Sequence, residues 1–182
     1  MRGLHFDGSS ARLRSGLPEP VPPEGEALVR VRLAGICSTD LEILRGYVPF
    51  RGVLGHELVG TVESAPGSDN LVGARVVGEI GAACGGCAAC LRGGGRHCAG
   101  RTVLGIAGRD GCIADLCLLP VRNLHRVPEA LPDERAVFTE PLAAALRIAG
   151  QVAFRGGERV LVVGDGKLGL LVAMALGRAG VS

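Results

Sequence analysis

Apolar and polar side chains alternate through residues 27–34, Ala-Leu-Val-Arg-Val-Arg-Leu-Ala, the period of two expected of a strand with one buried face. The lead-in, Pro-Glu-Pro-Val-Pro-Pro-Glu-Gly-Glu, is stiff and exposed. Ser38 or Thr39 can cap a short helix through Asp40-Leu-Glu-Ile-Leu-Arg, which Gly46 ends. Residues 59–64 and 75–78 read as further short strands, separated by Gly, Pro and Asp. Residues 112–119 read as another strand, 124–127 lead to Pro128, and 136–148 carry a helical pattern. The first ~150 residues therefore predict an irregular antiparallel β-domain carrying a long loop.

After Gly157 the pattern changes. Residues 158–163, Glu-Arg-Val-Leu-Val-Val, suit a parallel-sheet strand buried on both faces. Gly164-Asp-Gly-Lys-Leu-Gly169 follows at once, and residues 170–176 are apolar. Strand, Gly-x-Gly-x-x-Gly and helix in that order open a dinucleotide-binding fold. Gly164 permits the turn, Gly166 lets a pyrophosphate approach the backbone, and Gly169 packs helix against strand. The helix N-terminus attracts phosphate. Lys167 and Leu168 lie in the same loop, so all five positions are candidate cofactor contacts. An ordinary glycine turn has the same local pattern, but the flanking strand and helix favour a nucleotide. An acidic ribose-binding residue would belong to a second strand, beyond Ser182. The chain thus reads as the N-terminal part of a longer protein, one domain over 1–150 and the start of another over 151–182.

Composition narrows the classes of function. Hydrophobic residues make up 47% but aromatics only 3%, with no Trp, so Val, Leu, Ile and Ala must build the core. A net charge of +2 with scattered charges gives no footprint for nucleic acid or an anionic membrane, and base-stacking platforms are missing. Residues 1–20 hold no apolar run of a secretory signal. The C-terminal stretch after Lys167 offers about ten uncharged residues, too few to span a bilayer. A soluble, cytoplasmic protein is expected.

Cys84, Cys87, Cys90 and Cys98 stand at gaps of two, two and seven residues on a glycine-rich loop. Four thiolates can close a tetrahedral shell round one zinc ion, leaving no position for substrate; such a site is structural. The glycines Gly85, Gly86 and Gly93 to Gly95 allow the turns that aim the sulfurs inward. Disulfides would need an oxidising compartment. A ferredoxin run would continue with three residues and Cys-Pro, whereas seven residues precede Cys98 and Ala99 follows it. Zinc is favoured over an iron–sulfur cluster.

Three further segments carry ligand-type residues: Gly35-Ile-Cys37-Ser-Thr39-Asp40, Gly55-His56-Glu57 and Thr139-Glu140-Pro-Leu. A catalytic zinc takes thiolate, imidazole and carboxylate and keeps one position open. Singly, each has a plain reading: Cys37 a small core residue, His56 a hydrogen-bonded core histidine, Glu140 a helix-start carboxylate, Asp40 a surface one. His97 and His125 are not expected to be ligands. Cys112 and Cys117, five apart on a predicted strand, would face opposite sides and stay outside the chemistry.

In this order, with the four-cysteine loop and Gly-x-Gly-x-x-Gly, the segments resemble the zinc-dependent medium-chain alcohol dehydrogenases from about Leu28 onward. The Glu-Pro-Leu segment looks like the polyol, sorbitol and threonine dehydrogenase branch. The resemblance implies a mainly β GroES-like barrel catalytic domain followed by a Rossmann domain, here only its first strand–helix unit. It implies two zinc ions per chain, one catalytic and one structural, and NAD or NADP. Cys37 and His56 match ligands of the catalytic zinc, with either Glu57 or Glu140 as the third and the other contacting substrate or water. Asp40 matches a carboxylate that orients His56, and Thr39 the hydroxyl that receives the alcohol proton. The implied substrate is a secondary alcohol, polyol or sugar, and the full-length protein is expected to be a homo-oligomer. A non-catalytic module keeping only the structural zinc is the alternative. Zinc-free quinone reductases of the same superfamily lack both ligand sets.

Overall fold

In the computed structural model of the chain, which describes residues 1–155 and 157–181, a hairpin of β1 (Gly3–Phe6) and β2 (Ala11–Arg14) comes first. The alternating segment forms β3 (Glu26–Gly35) and passes into α1 (Ser38–Leu44), β4 (Gly52–Val53) and β5 (Glu57–Ser64). β6 (Arg75–Gly78) and β7 (Gly81–Ala82) lead to the cysteine loop, which holds α2 (Ala88–Leu91) and a 3-10 turn at Gly95–His97. β8 (Thr102–Leu104), β9 (Gly108–Arg109), β10 (Leu116–Pro120), β11 (Leu124–Arg126) and α3 (Asp133–Ala136) complete a first unit, Met1–Val137. A second unit, Phe138–Ser182, contains α4 (Thr139–Ala149) and α5 (Lys167–Arg178). α4 packs on α5, so it sits with the second unit although the sequence places it before a boundary at residue 150.

The larger sheet runs β10-β3-β5-β6-β11, antiparallel throughout. β2-β1-β4 form a second sheet and β7-β8-β9 a third, in which β8 and β9 are parallel. A bridge between Gly3 and Ala114 ties the small sheet to the approach of β10. Strand β5 is covered on both faces, as its period of two dictates. Leu58 and Val62 join Ala27, Val29, Val76 and Leu119 in the main core, while Val59 packs with Val77, Ala136 and Val137. The segment before α3 is held to the sheet by Arg75, which donates to the Pro128 carbonyl at 2.6 Å and pairs with Asp133 at 2.9 Å. Arg32 takes the other Asp133 oxygen at 2.7 Å.

Four expectations need correction. The strand expected over 112–119 begins only at Leu116, because the preceding amides bond elsewhere: Cys112 to the Gly55 carbonyl at 3.0 Å, Ile113 to Leu54 at 2.9 Å. Cys112 is therefore not on the strand, alternation does not apply, and Cys112 and Cys117 enter the same core. The helical pattern at 136–148 is split between α3 and α4. Residues 158–163 are assigned no strand: among the described residues no partner ladder satisfies their backbone groups. Leu161 and Val163 are 86% and 90% exposed.

Candidate metal centres

The β3 strand ends at Gly35, and the chain turns into α1 with Cys37 as the N-cap residue. Asp40, third in the helix, reaches back to accept the Cys37 amide at 2.8 Å, a reciprocal cap that orients both side chains. Its other oxygen accepts the Gly55 amide at 3.2 Å and lies 3.5 Å from His56 Nδ1. Asp40 and His56 are each 3% exposed, so the reading of Asp40 as a surface carboxylate is overturned. One carboxylate thus fixes the segments that present Cys37 and His56. This is the bracing that metal-binding side chains need from their neighbours.

Ligand-type atoms of Cys37, His56 and Glu57 lie within 4.8 Å of one another. The Thr39 hydroxyl accepts from Cys37 Sγ at 3.6 Å, which puts it beside the cluster. Burial works against a charged His56, but Asp40 and Cys37 outweigh it and raise its pKa to about 9. His56 Nδ1 nevertheless has no hydrogen bond of good geometry. A buried carboxylate 3.5 Å from a buried imidazole favours a cation nearby, and the mixed donor set suits zinc. Glu140 lies in the first turn of α4 in the second unit, where a carboxylate complements the helix dipole.

The second cluster is local. Among the described residues the sulfurs of Cys84, Cys87, Cys90 and Cys98 form the other close group, again within 4.8 Å. Cys87 and Cys90 sulfurs are 3.5 Å apart, Cys84 and Cys90 3.9 Å. A disulfide needs roughly 2.05 Å, whereas tetrahedral zinc with bonds of about 2.3 Å spaces its sulfurs at about 3.8 Å. The thiols are free and the spacing fits zinc. Amides of Gly86 and Cys87 pull the Cys84 pKa down to about 6, while desolvation and the neighbouring sulfurs push Cys90 up to about 11. Four crowded sulfurs resist ionising together, and a dication removes that conflict.

The base of this loop is braced from outside. Buried Asn123 donates to the carbonyls of Glu79 at 2.9 Å and Gly81 at 3.0 Å, and Arg122 donates to the Ala83 carbonyl. Sequence reasoning missed these residues, since an Asn after a strand carries no ligand signal. It also missed Gly55, whose amide anchors Asp40, and Cys112, whose thiol donates to the Glu57 carbonyl at 3.4 Å. His97 is exposed and His125 pairs with Glu79 at 3.2 Å, so neither joins a cluster.

The glycine loop belongs to the second unit. Gly164 has φ +108°, nothing crowds Gly166, and a Cβ on Gly169 would meet the Gly164 carbonyl at 2.1 Å. Lys167 and Leu168 open α5 directly after Gly166, its N-cap residue. No helix among the described residues is long and apolar enough to cross a membrane.

Residues 23–129 match the family described as Alcohol dehydrogenase GroES-like domain. The chain belongs to this family, and the mainly β GroES-like architecture expected from its motifs holds. L-threonine 3-dehydrogenase of Pyrococcus horikoshii is 36% identical over 162 residues, covering 84% of this chain and 45% of its own. Sorbitol dehydrogenase of Halalkalibacterium halodurans is 34% identical over 161 residues, covering 86% and 47%. The crystal structure of the short chain alcohol dehydrogenase rspB from E. coli CFT073, complexed with cofactor NADH, aligns with a TM-score of 0.86 at 32% identity. That likeness covers 99% of this chain and 54% of rspB. The chain spans about half the length of the curated relatives it matches.

Proposed function

We propose that this chain is the metal-binding catalytic domain, with the opening of the nucleotide domain, of a zinc-dependent alcohol dehydrogenase. The whole enzyme would move a hydride between a secondary alcohol, polyol or sugar and NAD(P). The observation that carries this reading is the convergence of Cys37, His56 and Glu57 within 4.8 Å of one another, apart from the tetrathiolate. Relatives named L-threonine 3-dehydrogenase and sorbitol dehydrogenase support an alcohol or polyol substrate. The NADH of the rspB complex supports the cofactor.

Cys37, His56 and Glu57 would hold the catalytic zinc; Cys84, Cys87, Cys90 and Cys98 the structural one. Zinc bound at the first set supplies Lewis-acid polarisation of an alcohol hydroxyl. NAD(P) supplies the hydride acceptor. The protein's own part is positioning and proton handling. Asp40 orients the imidazole, leaving the ring nitrogen remote from it for the metal. Thr39 Oγ1, next to Cys37 Sγ, takes the hydroxyl proton and passes it outward. Gly164, Gly166, Lys167, Leu168 and Gly169 cradle the dinucleotide phosphates at the start of α5. Glu140 is the alternative third ligand that the family resemblance implies. Self-association of the whole protein belongs to the same reading.

Zinc analysis of the purified chain tests it. Two equivalents are expected, falling to one in Cys37→Ser with the fold intact, and Glu57→Gln against Glu140→Gln tells which carboxylate matters. One equivalent in the parent chain would favour a non-catalytic zinc module. Visible absorption with bound iron would mark an electron carrier instead.

A further inference from the structure

Gly35 is the cross-strand partner of Glu57 at the end of the β3–β5 ladder, two residues ahead of Cys37. Directly opposed residues in an antiparallel pair ordinarily hold their Cβ atoms about 4.5–5.5 Å apart. Here a Cβ on Gly35 would lie 3.0 Å from Glu57 Cβ, 3.2 Å from its Cδ and 2.1 Å from its Oε2. The carboxylate folds back across the strand, into the volume any side chain at position 35 would occupy. Gly35 is not among the left-handed glycines, so its backbone tolerates other residues. Space, not conformation, demands glycine there.

That same carboxylate is the one within 4.8 Å of Cys37 and His56. We propose that Gly35 is a positioning residue whose missing side chain admits Glu57 to the metal centre beside Cys37 and His56. The inference rests on the reading of Glu57 as a ligand and adds what puts it there. The nearest obstacle is the far end of a flexible side chain, so alanine at 35 would swing the carboxylate away, while the Glu57 Cβ, 3.0 Å off, would have to give by a few tenths of an ångström. The backbone of Glu57 would stay, paired with β3 and accepting the Cys112 thiol. Gly60, on the same strand, differs: a Cβ there would strike the Arg30 carbonyl at 2.6 Å, and the sheet itself would have to move.

Cobalt(II) titration of the metal-stripped chain separates the two centres. The tetrathiolate site announces itself by intense sulfur-to-metal charge transfer, the mixed site by its own d–d bands. Gly35→Ala is expected to keep the first signal and to weaken cobalt at the second about 10- to 100-fold, the usual cost of disturbing a ligand's support. In a Glu57→Ala background, Gly35→Ala should add no further loss, the non-additivity of residues acting through one another. Parent-like binding in Gly35→Ala, with Glu57→Ala impaired, overturns the role of Gly35 alone. Additive losses overturn it too. Unchanged affinity in Glu57→Ala overturns the ligand reading and this inference with it. Should Gly35→Ala fail to fold, Gly35→Ala/Glu57→Gly, which removes both the carboxylate and the Cβ from the contact, is expected to fold and bind cobalt at the tetrathiolate; its failure also overturns the proposal.

Discussion

The two candidate metal centres of the first unit are built in opposite ways. The tetrathiolate draws all its donors from one short loop, whose elements between Cys84 and Cys98 are a single turn of α2 and a 3-10 turn. The Cys37–His56–Glu57 cluster draws its donors from the start of α1 and the lead-in to β5, with a buried carboxylate between them. A loop of that kind has few packed side chains of its own: among its cysteines only Cys98 is buried. On the proposed reading, the ion adds order beyond the bracing that Asn123 and Arg122 give its base. The second cluster sits on paired strands and a capped helix, so its geometry precedes the ion. On the proposed reading, one centre needs metal in order to fold; the other needs the fold in order to bind metal.

The strongest way to break this contrast is to remove one ion at a time. Cys87→Ser should disorder the loop and cost several kcal/mol, since structural zinc sites fold with their metal. At about 2–4 °C per kcal/mol for a chain of this size, the midpoint should fall by roughly 10 °C. Cys37→Ser should shed its zinc with only a small shift, and calorimetry with metal analysis compares the two. A midpoint drop of similar size in both variants would end the distinction.

Asp40→Ala is the next largest. It strips a buried carboxylate from two amides and an imidazole, a change of the kind that costs about 3–5 kcal/mol. Zinc affinity at the Cys37 cluster should fall 10- to 100-fold or so, while the tetrathiolate keeps its ion. Urea unfolding and zinc competition measure both. Asn123→Ala should do the reverse. The carbonyls of Glu79 and Gly81 lose their donor, about 1–3 kcal/mol, and zinc should exchange faster from the loop alone.

The smallest effect lies away from both centres and sets their background. Arg2 holds the Asp115 carboxyl down to about 2 through a side-chain hydrogen bond. A depressed folded-state value contributes stability above the unfolded value near ~3.9 and loses it as pH falls towards 2. Arg2→Ala should flatten the acid limb of the stability curve over that window, without altering metal content.

This asymmetry also decides what could be read from the chain. Cys84 to Cys98 are neighbours in sequence, so spacing alone exposes their chemistry. Cys37, His56 and Glu57 become legible only through motif order, and no spacing rule reveals that Gly35 must be empty or that Gly55 presents an amide to Asp40. Residues 27–34 carry the alternation of a strand, and they and residues 75–78 form the strands expected. β1, β2 and β7 to β9 were not anticipated, because segments of two to four residues are too short for a period to emerge. Residues 158–163 mark the opposite failure: their apolar run has strand character, yet pairing is a property of neighbours that the described residues do not supply.

The burial of Cys112 and Cys117 gives a simple analytical handle. Only the ionised sulfur attacks a thiol reagent; desolvation pushes Cys117 up to about 12 and raises Cys112 as well. Under native conditions both should stay silent towards an alkylating dye. Labelling would then tally only Cys37 and the loop cysteines, each masked while it grips an ion. The rate at which colour develops becomes a running gauge of how much metal the protein has let go.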